Sequence, residues 1–308
     1  MASPTVKDVH IDGVLTKISV GYSNGQYIGR ILCPACPVDK RSDNYYVFGK
    51  ENFNREASTL RTSGKPAQEV DYSLSSDSYS CKNHALKEYV PKDVEDAADT
   101  PLKPRNRATK NVTDRLLLDE EYEVAASLFS ATVITNNVTL DGTDQWDDFA
   151  NSNPISDIET GKQSVFDLIG KEANLIAMGK QVWDEVKNHP DLLDRIKYSM
   201  KGIITEQLVA EVFGVQNLVV GKVLYNTAKE GQTFSPAHVW GKKVLVAYVE
   251  PKPALESPTL CYNFMFQDFQ TRTWFDEDRK STAVEVENIR DIEIVDVNAG
   301  YLIVDAVS

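Results

Sequence analysis

The chain has 308 residues, 42% hydrophobic and 26% charged, a composition of ordered globular proteins that excludes an intrinsically disordered chain. Its net charge of −13, from 46 acidic and 33 basic residues, suits solubility and excludes broad binding to nucleic acid, because phosphate neutralisation needs clustered Lys and Arg. No apolar run approaches the roughly 20 residues that cross a bilayer, and Met1–His10 lacks the basic start and apolar core of a secretory signal. The expectation is a chain made in the cytoplasm, with Cys33, Cys36, Cys81 and Cys261 as free thiols.

Residues 1–43 hold scattered apolar anchors at Val9, Ile11, Val14 and Ile18. Cys33-Pro34-Ala35-Cys36-Pro37 opposes regular helix, since proline lacks an N–H and restricts its predecessor. The segment reads as an extended arm draped over something else. Residues 44–53 are aromatic and β-branched, and 69–81 alternate at Val70, Tyr72 and Leu74, so both read as strands. The polar stretch 54–68 between them, with Gly64 and Pro66, makes a long hairpin with a wide tip. The first strand alone would extend roughly 33 Å. The hairpin has too few apolar residues for a core of its own, and an isolated two-stranded hairpin is marginal in water. It is therefore expected to pack on a neighbouring subunit.

Pro91, Pro101 and Pro104 with several acids make 91–104 a linker. A long helix over 105–129 follows, about 37 Å at 1.5 Å per residue. Its apolar stripe runs Ala108, Val112, Leu116, then Leu118, Tyr122, Ala125 and Phe129. Residues 130–154 read as irregular. Ser156 or Asp157 caps a helix to about 169, 174–178 is a buried strand, and 181–188 and 191–198 are short helices separated at Pro190. Thr205 caps a helix that Gly214 ends. Strands are expected at 217–225, 243–249 and 260–267, and 283–297 and 301–307 read as a hairpin turning at Asn298-Ala299-Gly300. Helices and strands mixed in this way give an α+β chain.

Catalytic signatures are missing: there is no P-loop, no dinucleotide fingerprint, no H-E-x-x-H and no G-x-S-x-G. His10, His84, His189 and His238 lie far apart in sequence. Cys33-x-x-Cys36 and Cys81-x-x-His84 have the spacing of two zinc-ligand pairs. Pro37 follows the first pair, no knuckle glycines accompany either, and buried thiols beside a surface histidine account for them equally well, so no metal or other cofactor is expected. Asp144, Asp147 and Asp148 lack a cation-loop pattern and read as a solvated acidic turn. Lys50, Arg55, Arg61 and Lys65 surround the hairpin tip and are the candidates for contact with a neighbouring copy.

An arm, a long hairpin, a long helix, an α/β unit and a return into strands is the order of the Hong Kong 97-type capsid fold. The text agrees. Tyr27–Pro34 with Pro37-Val38-Asp39-Lys40 and Ser42–Tyr45 resembles the arm-to-hairpin region of one capsid subfamily. Residues 146–159, 178–198 and 220–231, with His238–Lys242, resemble further stretches. The chain is thus similar to tailed-bacteriophage major capsid proteins. The resemblance implies an N-terminal arm at 1–43, an extended loop (E-loop) at 44–90, and a peripheral domain of 91–155 and 250–308 with 105–129 as its spine helix. It implies an axial domain at 156–249. It also implies a non-enzymatic chain that forms hexamers and pentamers of an icosahedral virion shell, assembled in the host cytoplasm around double-stranded DNA held without sequence specificity. Expected partners are a separate scaffolding protein, a portal protein and a decoration protein; no membrane is involved. A start at Met1 so near the arm speaks against a removed scaffolding segment on this chain. Lys50 or Lys65 suits subunit cross-linking, but the sequence identifies no partner asparagine. The alternatives are an encapsulin-like nanocompartment shell and, more remotely, a zinc-dependent enzyme built on the cysteine pairs.

Overall fold

The computed structural model describes residues 10–11, 27–48, 59–60, 63–64, 74–98, 103–196, 204–229, 231–252 and 258–308. A two-residue strand β1 (His10–Ile11) precedes a short helix α1 (Gly29–Leu32). The prolines that oppose helix leave Ala35–Pro37 extended as β2. The hairpin is present: β3 (Ser42–Phe48) pairs antiparallel with β4 (Leu74–Ser80), Ser42 opposite Ser80 and Phe48 opposite Leu74. The tip charges Lys50, Arg55, Arg61 and Lys65 lie outside the described residues.

One residue, Cys81, separates β4 from β5 (Lys82–Pro91). The expected linker then holds a helical turn, α2 (Lys92–Asp96), with Pro91 at its N-cap and Asp93 and Glu95 in a first turn that favours acids. The long helix α3 spans Pro104–Leu128, and Pro104 sits at its start, where a missing N–H costs nothing. Its buried face differs from the expected stripe beyond Leu116. It keeps Ala125 and Phe129 as expected and adds Leu117, Glu120, Glu121, Val124 and Leu128, while Tyr122 is exposed. Two glutamates occupy the inward positions, and an apolar pattern does not register them.

The stretch expected to be irregular contributes β6 (Asn137–Thr139). Helix α4 (Pro154–Ile169) is capped by Asn153, whose side chain accepts the Ser156 N–H at 3.0 Å, rather than by Ser156 or Asp157. Next come β7 (Leu175–Gly179), α5 (Lys180–Val186) and α6 (Pro190–Ile196). Helix α7 (Glu206–Phe213) is capped as expected: Thr205 Oγ1 accepts the Leu208 N–H, and Gly214 takes φ 66°. The expected strand 217–225 breaks into β8 (Asn217–Gly221) and β9 (Leu224–Asn226), and β9 pairs with β10 (Pro236–His238). β11 is Val244–Ala247.

The C-terminal region departs most from expectation. β12 runs Cys261–Asp276, β13 runs Ser281–Ile294, and they pair along their length. Their turn carries no glycine or proline. Asp276 Oδ1 accepts the N–H groups of Asp278 and Arg279 instead, and Lys280 takes φ 46°. β14 (Gly300–Val304) does not fold back on β13 as expected; it pairs with β11. A 3-10 turn at Val297–Ala299, capped by Asp296, carries the chain from one sheet to the other.

Two five-stranded sheets result. The first has the order β6-β14-β11-β7-β8. Every residue of β7 and β11 is buried, as in strands covered on both faces. Helices α4 and α7 pack on it, and Trp240 lies so close to Gly221 that a Cβ there would stand 2.0 Å from the indole Cδ1. The second has the order β1-β12-β13-β5, with β2 parallel to β12 on the side of β1. Helix α3 lies across β5 and β13, with Val112 and Leu116 against Phe269 and Val286.

Candidate functional site

The N-terminal strap, the spine helix and the second sheet meet at buried charge. Glu121 is 2% exposed, and its carboxylate accepts the N–H groups of Ile28 (2.9 Å) and Gly29 (2.6 Å) and the Trp240 indole N–H (2.8 Å). Burial pushes this carboxyl above its ordinary range, and the three donors pull against that rise. A Cβ at position 29 would lie 2.7 Å from Glu121 Oε2, so any larger residue there displaces this carboxylate. Next along the helix, Glu120 takes the Arg30 guanidinium through two bonds (2.8 and 3.0 Å) and the Asn263 amide (2.9 Å). Arg290, 1% exposed, donates to Glu123 at 2.5 Å and stands 3.8 Å from Asp119 and 4.0 Å from Glu120. Arg290 and Glu120 are both buried, so removing one of these two costs about 3–5 kcal/mol, because the other charge is stranded. A disulfide between Cys33 and Cys261 joins strap to sheet across 228 residues of sequence, Cα to Cα 4.9 Å.

Among the described residues, the hairpin is fastened to the body at its base. Tyr79 stacks on Phe264 at 4.6 Å and Tyr45 tilts against the same ring at 5.2 Å. The Ser80 N–H donates to Asp291 (2.6 Å), the Cys81 N–H to the Arg41 carbonyl (2.7 Å), and the Cys81 thiol to the Phe264 carbonyl (3.4 Å). Beyond this base Asp43, Asn44, Ser75, Ser76 and Ser78 are exposed, and Tyr46 is 62% exposed.

The cysteine–histidine constellation does not assemble. Cys33 is bonded to Cys261, which corrects the expectation of four free thiols; Cys36 and Cys81 remain free. The pairing brings together residues too distant in sequence for spacing to reveal. Cys36 lies on β2, Cys81 at the hairpin base, and His84 on β5 at 3.7 Å from Asp119. Among the described residues no group of three or more His, Cys, Asp or Glu could hold a metal ion. His189 is buried, its Nε2 3.1 Å from Ser152 Oγ and its Nδ1 accepting the Asp191 N–H, and burial holds its pKa down. That places it in packing between a loop and α6. A cleft of about 740 Å³ between β5, α2 and the start of α3 is bordered by Glu88, Tyr89, Val94, Lys103 and Arg107, with no nucleophile–base pair. The interlock of Arg30, Glu120, Glu121 and Arg290 had no sequence motif; its one signal was a pair of acids on the inward face of the spine helix.

No family model matches the chain. It is 32% identical over 243 residues to a major capsid protein of Burkholderia phage BcepMu, covering 78% of this chain and 76% of that one. A phage-related protein from Bordetella bronchiseptica RB50 superposes with a TM-score of 0.78 at 28% identity, over 97% of this chain and 98% of that one. The capsid of cyanophage P-SCSP1u matches with a TM-score of 0.61 at 10% identity, over 89% and 86% of the two chains. A virus-like particle from Pyrococcus furiosus matches with a TM-score of 0.54 at 12% identity, over 94% and 95%. The last two likenesses show the fold alone.

Proposed function

This chain belongs to the family of phage major capsid proteins, and from that premise we propose that its copies close into an icosahedral virion head, as hexamers and pentamers, around double-stranded DNA. The observation that carries the reading is the β3–β4 hairpin: a strand pair fastened at one end whose remaining described residues are mostly exposed. Such a pair gains stability by lying on another copy, and a repeated heterologous contact builds rings and shells. Its role is structural, not catalytic.

In this reading 1–43 is the arm, 44–90 the E-loop, 91–155 and 250–308 the peripheral domain and 156–249 the axial domain. The pairing of β14 with β11 and of β6 with β14 supports counting 137–139 and 300–304 with the axial unit. Lys50, Arg55, Arg61 and Lys65 orient the hairpin on its neighbour by charge. Scaffolding, portal and decoration proteins complete the assembly, which takes place in the host cytoplasm.

Negative-stain microscopy of the expressed chain, with and without a candidate scaffolding protein, tests the proposal. Closed shells are expected; a stable monomer under both conditions would overturn it. The second reading is a nanocompartment shell, since the same fold also builds a virus-like particle in Pyrococcus furiosus. Purified particles with protein cargo and no nucleic acid would select it.

A further inference from the structure

The strap that carries Cys33 is held on the body by contacts that do not need its sulfur. The Ile28 and Gly29 N–H groups donate to Glu121, Arg30 donates to Glu120, and the Tyr27 hydroxyl donates to Asp114 Oδ1 at 2.9 Å. Beyond Cys33 the Pro34 carbonyl accepts the Asn263 N–H at 3.0 Å, and the Val38 N–H donates to the Met265 carbonyl at 3.0 Å. Between them β2 runs parallel to β12, with Ala35 opposite Asn263. Cys33 and Cys261 are each 0% exposed, in one apolar cluster with Leu32 and Leu260. Their Cα atoms stand 4.9 Å apart, inside the range that a disulfide spans. Cys36 and Cys81 lie elsewhere: Cys36 is opposite Phe264 in register, and the Cys81 thiol donates to the Phe264 carbonyl.

We propose that Cys33 and Cys261 form a redox lock on the strap: the dithiol chain docks the strap by these contacts alone, and closure of the disulfide then fixes it to β12. Docking sets the two sulfurs together, so closure needs an oxidant and no rearrangement. A disulfide of the glutathione class supplies it. Neither sulfur is exposed in the docked state, so the reaction starts from an undocked strap. One cysteine thiolate attacks a sulfur of the oxidant and expels one thiolate, leaving a mixed disulfide. Return of the strap brings the second cysteine, whose thiolate attacks the cysteine sulfur of that mixed disulfide and expels the other. Two cysteine thiols thus lose two electrons and two protons, and the oxidant leaves as two thiols. Reduction runs the same path in reverse and is gated by the same opening.

Cytoplasm keeps thiols reduced, and the medium outside a cell does not. In a shell built in a host cytoplasm the lock is open during assembly, while the strap can still lift and settle, and closes after release. That consequence rests on the proposed function, whereas the lock itself is a property of one chain.

The full-length chain, purified with reductant and desalted, is exposed to glutathione disulfide, and its thiols are counted by alkylation in denaturant and intact mass. Four thiols are expected before oxidation and two after, those of Cys36 and Cys81. Hydrogen exchange on peptides across 27–38 should then show protection at least about tenfold higher in the disulfide than in the dithiol chain. The β9–β10 pair, which carries neither cysteine, should exchange alike in both. Cys33→Ser should hold the strap at the dithiol level under both conditions; where it does not fold, Cys261→Ser serves. Dithiothreitol should reduce the closed bond about three- to tenfold faster in Tyr27→Phe, which takes the hydroxyl away from Asp114 and leaves both cysteines in place. Retention of four thiols, a bond between two chains, equal strap exchange in both states, or a reduction rate unmoved by Tyr27→Phe would each overturn the lock. Shells formed by chains without a lock leave the proposed function standing, and a lock in chains that form no shells leaves the lock standing.

Discussion

The five-stranded sheet β6-β14-β11-β7-β8 and the β3–β4 hairpin are both β-structure, yet they reach stability by different routes. In the sheet Ile176, Met178, Val244 and Leu245 are 0% exposed, and helices cover it. Full burial of each such side chain stabilises by roughly 1.5–3 kcal/mol, so the sheet stands on contacts within one chain. The hairpin strands read SDNYYVF and LSSDSYS, and of the side chains described in them Tyr79 is the well-buried one. Hydrogen bonds between two such strands leave little net stabilisation once ordering entropy is counted. On the proposed reading a second copy stabilises this hairpin, so that one region is finished by folding and the other by assembly.

The sharpest break would come in the sheet region. Trp240→Ala should cost about 3–5 kcal/mol in a urea titration, because it opens a cavity over Gly221 and removes a donor from Glu121; a cost under 1 kcal/mol would deny that this region is self-sufficient. Glu121→Gln comes next, at about 1–3 kcal/mol by the same measurement. With the new amide NH₂ in place of Oε2 the Gly29 N–H loses its acceptor, while the Ile28 N–H and the indole keep the remaining oxygen. The smallest effect on the single chain, and the most telling, is Tyr46→Ser. An exposed residue away from the core should change unfolding by no more than about 0.5 kcal/mol, while shell yield by sedimentation falls because an aromatic contact between copies is lost. Equal losses in both assays would erase the distinction between the two regions.

Some of this was readable along the chain because its cause is local. Thr205 and Gly214 bound a helix by capping and by a left-handed backbone, Pro104 opens the spine, and an unbroken apolar run marks β7. The hairpin strands followed from alternation, and their lack of apolar residues already pointed to a partner. Other features depend on groups far apart. The turn between β12 and β13 rests on the Asp276 side chain, without the glycine that announces most turns. β14 leaves its sequence neighbour β13 for β11 because apolar strands pair where a covered face awaits them, not where the sequence is nearest.

By itself, then, the sequence determined the ends of α7, the start of the long helix, the buried strand β7 and the hairpin, since propensity, capping and periodicity act over a few residues. Only the tertiary structure decided that Cys33 meets Cys261, that Glu120 and Glu121 face inward onto Arg30 and the strap, and that the Ser80 N–H at the hairpin base meets Asp291 of β13. Those are encounters across tens to hundreds of residues. A buried charge or thiol becomes favourable only when its partner arrives, and the partner's arrival is a property of the whole fold.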